Sequence, residues 1–257
     1  MIEIIPSVWV SPNAKIDSNV LFGRNVVIYG NTTIGENTII EENVTIGHPS
    51  PSEVNNLLSN SNYSKWNEDL YKAYESITKE KTYIGKNSII RSNTIIYSGN
   101  EIDDFFDCGH NVIIREDCKI AKRCYIFTHT QIKREAIIEQ GCRIAGLVGD
   151  RTKIGAYSSM MGQTVHKYND GVGGKIEKAP IIGIGVVVGF QSVIVGRVSI
   201  SDFSIVAANS VVLDDVDTFV VVAGIPAKYK RNRNINEISD ILEKMKGDNY
   251  EYKSCKL

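Results

Sequence analysis

The chain has 257 residues, 42% hydrophobic and 23% charged, with a formal net charge of −1. That balance is ordinary for a soluble protein, and the lack of a basic excess or stripe argues against nucleic-acid binding. The opening MIEIIPSVWVSP has no basic n-region and no apolar run long enough for a signal peptide or a membrane span, so a cytoplasmic location without membrane attachment is expected.

From the N-terminus an aliphatic or similarly buried residue recurs at every sixth position. One array runs from Ile4 through Val10, Ile16 and Phe22 to Ile46, and a second from Ile84 to Ile144. After a two-residue slip come Val148, Ile154 and Met160, and a last array runs from Ile182 to Val212. Four residues after most of these stands a small or β-branched residue, such as Val26, Thr38, Ser88, Cys118, Cys124, Cys142 or Ser204. Glycine often follows the aliphatic directly, as at Gly35, Gly85, Gly155 and Gly189.

A period of six suits neither a helix nor a continuous strand, whose apolar spacings are about 3.6 and 2. It suits short strands separated by sharp turns, with three hexads closing a triangular coil of about eighteen residues. The large aliphatic fills the interior and the small residue fits where the prism narrows. Glycine is expected at the corners, for its unusual φ. The predicted fold is an all-β parallel β-helix over residues 1–217. Four of the five cysteines, Cys108, Cys118, Cys124 and Cys142, fall on these positions and are expected to be reduced core residues. No CxxC pair suggests zinc, and Cys255 lacks a prenylation box.

Two segments break the register. Residues 47–83 open with the turn-rich HPSPS, then place Trp66, Leu70, Tyr71, Tyr74 and Ile77 at spacings that suggest a short helix. This insertion is either an arm over a substrate or a packing appendage. Residues 166–181 carry Gly171, Gly173 and Gly174 and form a flexible loop. The C-terminal segment, 218–257, contains AGIPAK from Ala223 to Lys228, a basic stretch, and an amphipathic helix over 235–246 expected to cap the open end of the β-helix.

This hexad pattern resembles the hexapeptide-repeat acyltransferase superfamily over most of residues 1–217. The resemblance implies left-handed coiling, a homotrimer with sites between subunits, and an acyl donor carried on coenzyme A. Within Cys-Gly-His-Asn-Val, His110 matches the hexad that carries the catalytic base in lipid A acyltransferases and in nucleotide-amino-sugar N-acetyltransferases. A histidine near neutral pKa removes a proton well from an attacking amine or hydroxyl. Asn111 stands where the family often has an acidic residue that orients the ring. Eighteen residues on, Thr128 stands where the family often has a glycine, and its N–H would serve as the oxyanion donor. Ser92, Asn93 and His129 flank His110 by the same arithmetic and are expected to contact substrate, while His48 is either structural or a substrate contact. His166, before the glycine-rich loop, is the rival base, resembling the galactoside and xenobiotic acetyltransferase branch.

AGIPAK resembles the segment that lies along coenzyme A in this superfamily. Gly224, Ile225 and Ala227 would let the backbone approach the cofactor, Pro226 would fix the turn, and Lys228 with Arg231 would neutralise phosphate. Gly189, Ala207 and Ala208 would form a smooth groove for the pantetheine arm. The residues from Ser88 to Asp117 look similar to bacterial dideoxyaminohexose N-acyltransferases, which implies acetyl-coenzyme A-dependent N-acetylation of a nucleotide-linked amino sugar. The alternatives are an O-acetyltransferase centred on His166, lipid A acylation from an acyl carrier protein, and a γ-carbonic anhydrase-like enzyme or non-catalytic trimeric scaffold. A zinc site needs three nitrogen ligands, and no third histidine has suitable spacing beside His110 and His129, so no metal is expected.

Overall fold

The computed structural model describes residues 7–60, 70–78, 80–167 and 178–250. It divides into two compact units, Met1–Arg123 and Cys124–Leu257. In both, most strands are two or three residues long and lie in three parallel sheets. Each unit has the all-β, parallel β-helix coils expected from the hexads, and the second ends in a short C-terminal helix.

In the first unit the three faces are set by register. Trp9 pairs with Val27, Lys15 with Thr33, and Leu21 with Ile39, each one eighteen-residue coil apart. Across the insertion the offset becomes fifty residues, yet Ile46 still pairs with Ile96, Ile34 with Ile84 and Ile40 with Ile90. The insertion therefore leaves the coil register intact. The second unit repeats the arrangement with other offsets: Lys153 pairs with Ile181, twenty-eight residues on, and several pairs are sixteen apart, the first being Gln131 with Leu147. That sixteen-residue coil is the two-residue slip seen in the sequence, and it turns at Gly146, φ +93°.

The interior is the predicted one. Ile34, Ile40, Ile84, Ile90, Cys108 and Ile114 are fully buried in the first unit, and Ile126, Ile144, Met160, Val188 and Ile200 in the second. The small positions Thr38, Ser88, Cys124 and Ser204 are buried with them, at 1% exposure or less. The four hexad cysteines are buried free thiols, and burial pushes the Cys108 thiol up to about 12. Cys255 lies outside the described residues. Val10, in the first described strand, is 36% exposed.

The corners correct one expectation. The left-handed φ falls three residues after the inward aliphatic, and asparagine holds most of those positions in the first unit: Asn19, Asn25, Asn37, Asn43, Asn87, Asn93 and Asn111 all lie at φ from 55° to 62°. Asparagine tolerates this region better than most residues. Here the amides also stack, Asn25 Nδ2 donating to Asn43 Oδ1 at 3.1 Å and Asn43 Nδ2 to Asn93 Oδ1 at 3.2 Å. The glycines one residue after the aliphatic have a different cause. A Cβ on Gly35 would lie 2.5 Å from the Lys86 backbone nitrogen, and one on Gly155 would lie 2.6 Å from the Gly183 carbonyl carbon. These glycines let successive coils stack.

The insertion contains two helices, α1 (Pro51–Asn60) and α2 (Leu70–Ile77); Trp66 lies outside the described residues. The second was expected and the first was not. Its signal is nevertheless present, a capping box in which Glu53 N–H donates to Ser50 Oγ and Ser50 N–H to Glu53 Oε2, with Pro51 at the first helical position. Helix α2 docks on its own unit through Glu75, whose carboxylate accepts from Ser11 Oγ (2.5 Å), Asn13 Nδ2 (2.7 Å) and the Gly30 N–H (2.9 Å).

At the C-terminus the chain makes an antiparallel hairpin, Val220–Gly224 with Ala227–Asn232. A 3₁₀ turn, Ile235–Ile238, and helix α3 (Ser239–Gly247) follow. Contrary to expectation, the helical tail does not cap the open end. It lies along one corner, where Ile238 and Met245 pack with Ala156, Tyr157, Ile184 and Phe203, and Phe219 joins them. Tyr157, Gly185, Phe203 and Phe219 are successive left-handed corner residues, so this corner carries aromatic rings that the tail covers. Arg233, 8% exposed, fastens the tail by donating to the Gly185, Phe203 and Glu237 carbonyls.

Three substitutions separate the roles of glycine and asparagine. Gly35→Ala, which overpacks two coils, is expected to destabilise the fold by about 1–3 kcal/mol. Asn43→Ala is expected to cost ~1 kcal/mol, and Asn43→Gly less. Denaturant midpoints of the three variants test this; equal losses for Asn43→Ala and Asn43→Gly would exclude a backbone origin at Asn43.

Candidate functional site

In the first unit the stacking of coils brings four side chains together. Glu42, Ser92 and His110 occupy equivalent positions in successive coils, since Asn93 N–H donates to the Glu42 carbonyl and Asn111 N–H to the Ser92 carbonyl. His110 is exposed, with its Nδ1 3.7 Å from Glu41 Oε2. That distance suits an ion pair when the ring is protonated. Glu41 Oε2 also accepts from the Ser92 N–H (3.0 Å) and Oγ (2.9 Å). The same hydroxyl lies 3.1 Å from Glu42 Oε2. The Glu42 carboxyl is held below its ordinary pKa by its own backbone N–H and then by Ser92. Glu41 thus faces the histidine, and the lowered Glu42 carboxyl lies beside the same serine.

Glu41 is the residue that sequence reasoning missed. The resemblance placed the acidic partner at the position after the histidine, where Asn111 stands. Asn111 is a corner residue at φ +57°, and so is Asn93. The acid comes from two coils back, and the insertion hides it by lengthening the offset from Ser92 to Glu42 to fifty residues. The pairing of Ile40 with Ile90 is what reveals it.

In the second unit Thr128 and His129 are exposed, and His129 is a corner residue at φ +63°. His166 follows the strand Gln163–Val165. Both its ring nitrogens are buried without a hydrogen-bond partner, so nothing among the described residues fixes its tautomer. Of the loop it opens, residues 168–177 lie outside the description.

The AGIPAK segment forms the hairpin tip. Gly224 takes φ +105°, and Ile225 is 75% exposed. Gly189, Ala207 and Ala223 stack, because Gly189 N–H donates to the Val206 carbonyl and Ala207 N–H to the Val222 carbonyl. A Cβ on Gly189 would collide with the backbone at Ala208, so packing alone accounts for this glycine. Both predicted phosphate ligands have carboxylate partners: Lys228 Nζ is 3.5 Å from Asp214 Oδ2, and Arg231 donates to Glu237 at 2.8 and 3.2 Å. Among the described residues no group of three His, Cys, Asp or Glu is placed to hold a metal ion, and no helix is long and apolar enough to cross a membrane.

His48, left open by the sequence, is half-buried at the root of the insertion. Its ring packs against Tyr97 (5.0 Å), Tyr74 (5.5 Å) and Tyr29 (6.1 Å), and its Nδ1 bonds the Pro49 carbonyl at 2.8 Å. It fastens α2 to the coils.

Residues 7–48 match the family model for the bacterial transferase hexapeptide (six repeats). A repeat of the same six-residue period continues among the described residues to Val212. Similar solved structures include UDP-N-acetylglucosamine O-acyltransferase from Moraxella catarrhalis, 16% identical, covering 97% of this chain and 78% of that one, with a TM-score of 0.45. The counterpart from Francisella novicida is 17% identical over 95% of this chain and 72% of that one, with a TM-score of 0.38. A variant of AntD, an N-acyltransferase from Bacillus cereus, in complex with dTDP-4-amino-4,6-dideoxyglucose and coenzyme A, is 18% identical over 64% and 90%, with a TM-score of 0.34. None of the curated proteins compared with the chain matches it.

Burial lowers the pKa of His48 from its ordinary value of 6.5, partly offset by the Pro49 carbonyl and Glu53. The folded state therefore favours the neutral ring. The associated stability is complete above the unfolded pKa and is lost as pH falls from 6.5 toward the lowered folded value. The thermal midpoint is expected to drop between about pH 7.5 and pH 5.5, and His48→Phe should flatten that drop. An unchanged pH slope in this variant would rule out His48 as the source.

Proposed function

We propose that the protein is an acyltransferase that moves an acetyl group from acetyl-coenzyme A to the amine of a nucleotide-linked amino sugar, working as a homotrimer in the cytoplasm. One observation carries this reading: an exposed histidine on a coil face, with the Glu41 carboxylate 3.7 Å from one ring nitrogen. In a repeat that needs only small or aliphatic residues inside and turn residues at its corners, this histidine–acid pair is not required for folding. The repeat is the one described for bacterial transferases.

The chemistry follows from the pair. The acceptor amine attacks the thioester carbonyl, a C–N bond forms, and the C–S bond breaks to release the coenzyme A thiolate. His110 Nε2 takes the proton lost by the amine. Glu41, facing Nδ1, holds the neutral tautomer that leaves Nε2 free as acceptor and stabilises the imidazolium once formed. Asn111 contributes through the corner that sets the ring's direction. Thr128 N–H is proposed as the oxyanion donor, and Ser92, Asn93 and His129 as acceptor contacts. The donor would lie along the exposed hairpin Gly224–Lys228, beside the stacked Gly189 and Ala207, with Ala208 next to them and Arg231 at its phosphates. His166 is the weaker base, because its unpartnered nitrogens leave the ring without an orienting acid among the described residues.

Thiol release from acetyl-coenzyme A tests the proposal, with dTDP-, UDP- and GDP-linked amino sugars each beside its hydroxyl analogue. Release is expected on amino sugars only. His110→Ala should lower kcat about 10²–10⁴-fold, Glu41→Gln should lower kcat by less, and His166→Ala should have little effect. Release on hydroxyl acceptors that is lost with His166→Ala would instead establish an O-acetyltransferase.

A further inference from the structure

The two cations proposed to meet the phosphates of the donor are not free. Arg231 makes two hydrogen bonds to Glu237, and Lys228 lies 3.5 Å from Asp214. The Arg231–Glu237 pair is solvent-exposed, with side chains 54% and 35% exposed, so an anion can reach it. Glu237 Oε1, which accepts from Arg231 Nη1, also accepts the Asn234 N–H at 3.1 Å in a capping box that opens the C-terminal 3₁₀ turn. The turn itself is fixed by Ile238, 1% exposed, and by buried Arg233. Glu237 is therefore anchored by backbone and core, whereas the Arg231 guanidinium is held by Glu237 and by the Asn232 carbonyl at 2.9 Å.

We infer that Glu237 is an affinity-setting residue, a fixed carboxylate that competes with the phosphates of the donor for Arg231. This inference rests on the reading of the hairpin as a coenzyme A site. When a phosphate arrives, Arg231 exchanges one anionic partner for another, and Glu237 keeps its backbone bond to Asn234. The net gain from each phosphate contact is reduced by the contact surrendered, and the carboxylate left behind repels the ligand. The arrangement favours ligands with enough phosphate charge to win the exchange and disfavours neutral or singly charged thioesters. Asp214 acts in the same way, more weakly, on Lys228.

Glu237→Gln is the direct test, because glutamine retains the capping acceptor and removes the charge. Binding of coenzyme A and of 3′-dephospho-coenzyme A is measured by calorimetry for the whole protein and for Glu237→Gln and Arg231→Ala, with thermal midpoints checked alongside. Glu237→Gln is expected to tighten coenzyme A binding about two- to fivefold at low salt, with the gain shrinking at high salt and smaller for the dephospho ligand. Arg231→Ala should weaken coenzyme A binding. If Arg231→Ala weakens binding while Glu237→Gln leaves it unchanged or weaker, the competition is disproved and the coenzyme A site stands. If Arg231→Ala has no effect, the site assignment fails and the inference with it.

Discussion

The pairing of each short strand with the strand one coil away is the constraint on which the rest of the structure depends. Strands of two or three residues have too few hydrogen bonds to stand alone. They persist because Ile34, Ile84 and their counterparts stack inside while the backbones stack at the spacing of a parallel sheet. Everything outside the prism inherits that register. Glu42, Ser92 and His110 share a column for the same reason that Ile40, Ile90 and Cys108 do. A column of side chains built this way needs no dedicated loop to hold it. Each side chain is placed by the core residue beside it.

The same constraint explains which features were legible. Inward positions repeat at six with almost no drift, so the fold, the core and the buried cysteines could be read directly. Corners were misassigned because two different demands fall in one hexad. Glycine answers the close approach of successive backbones at Gly35, and asparagine answers the left-handed φ at Asn37, yet both look like turn residues in a sequence. The helical tail was misplaced for a related reason. Its apolar stripe showed that it covers something, and only the aromatic corners Tyr157, Phe203 and Phe219 show what.

The candidate site was half legible. His110 stood out because Cys-Gly-His-Asn-Val resembles a hexad that carries a catalytic base. Its acid did not, since Glu41 becomes a neighbour only once thirty-two residues between Ile46 and Ile96 are discounted from the fifty-residue offset. The two groups of charged residues, one in each unit, also differ in kind. Around Ser92 a carboxylate faces a histidine, and around Gly224 the cations are held by carboxylates. Both rely on fixed acids, and in both the acid sits on the rigid side of the contact.

The fifty-residue offset has a consequence for how such a protein can change. Because Ile34, Ile40 and Ile46 meet Ile84, Ile90 and Ile96 as though the chain between were absent, that chain is a cassette. Its length and composition can vary without moving Glu41 relative to His110, provided that Glu75 and His48, or substitutes for them, still fasten it at its root. The fold thereby separates two jobs that most domains mix, holding reactive groups in place and presenting a surface free to diversify.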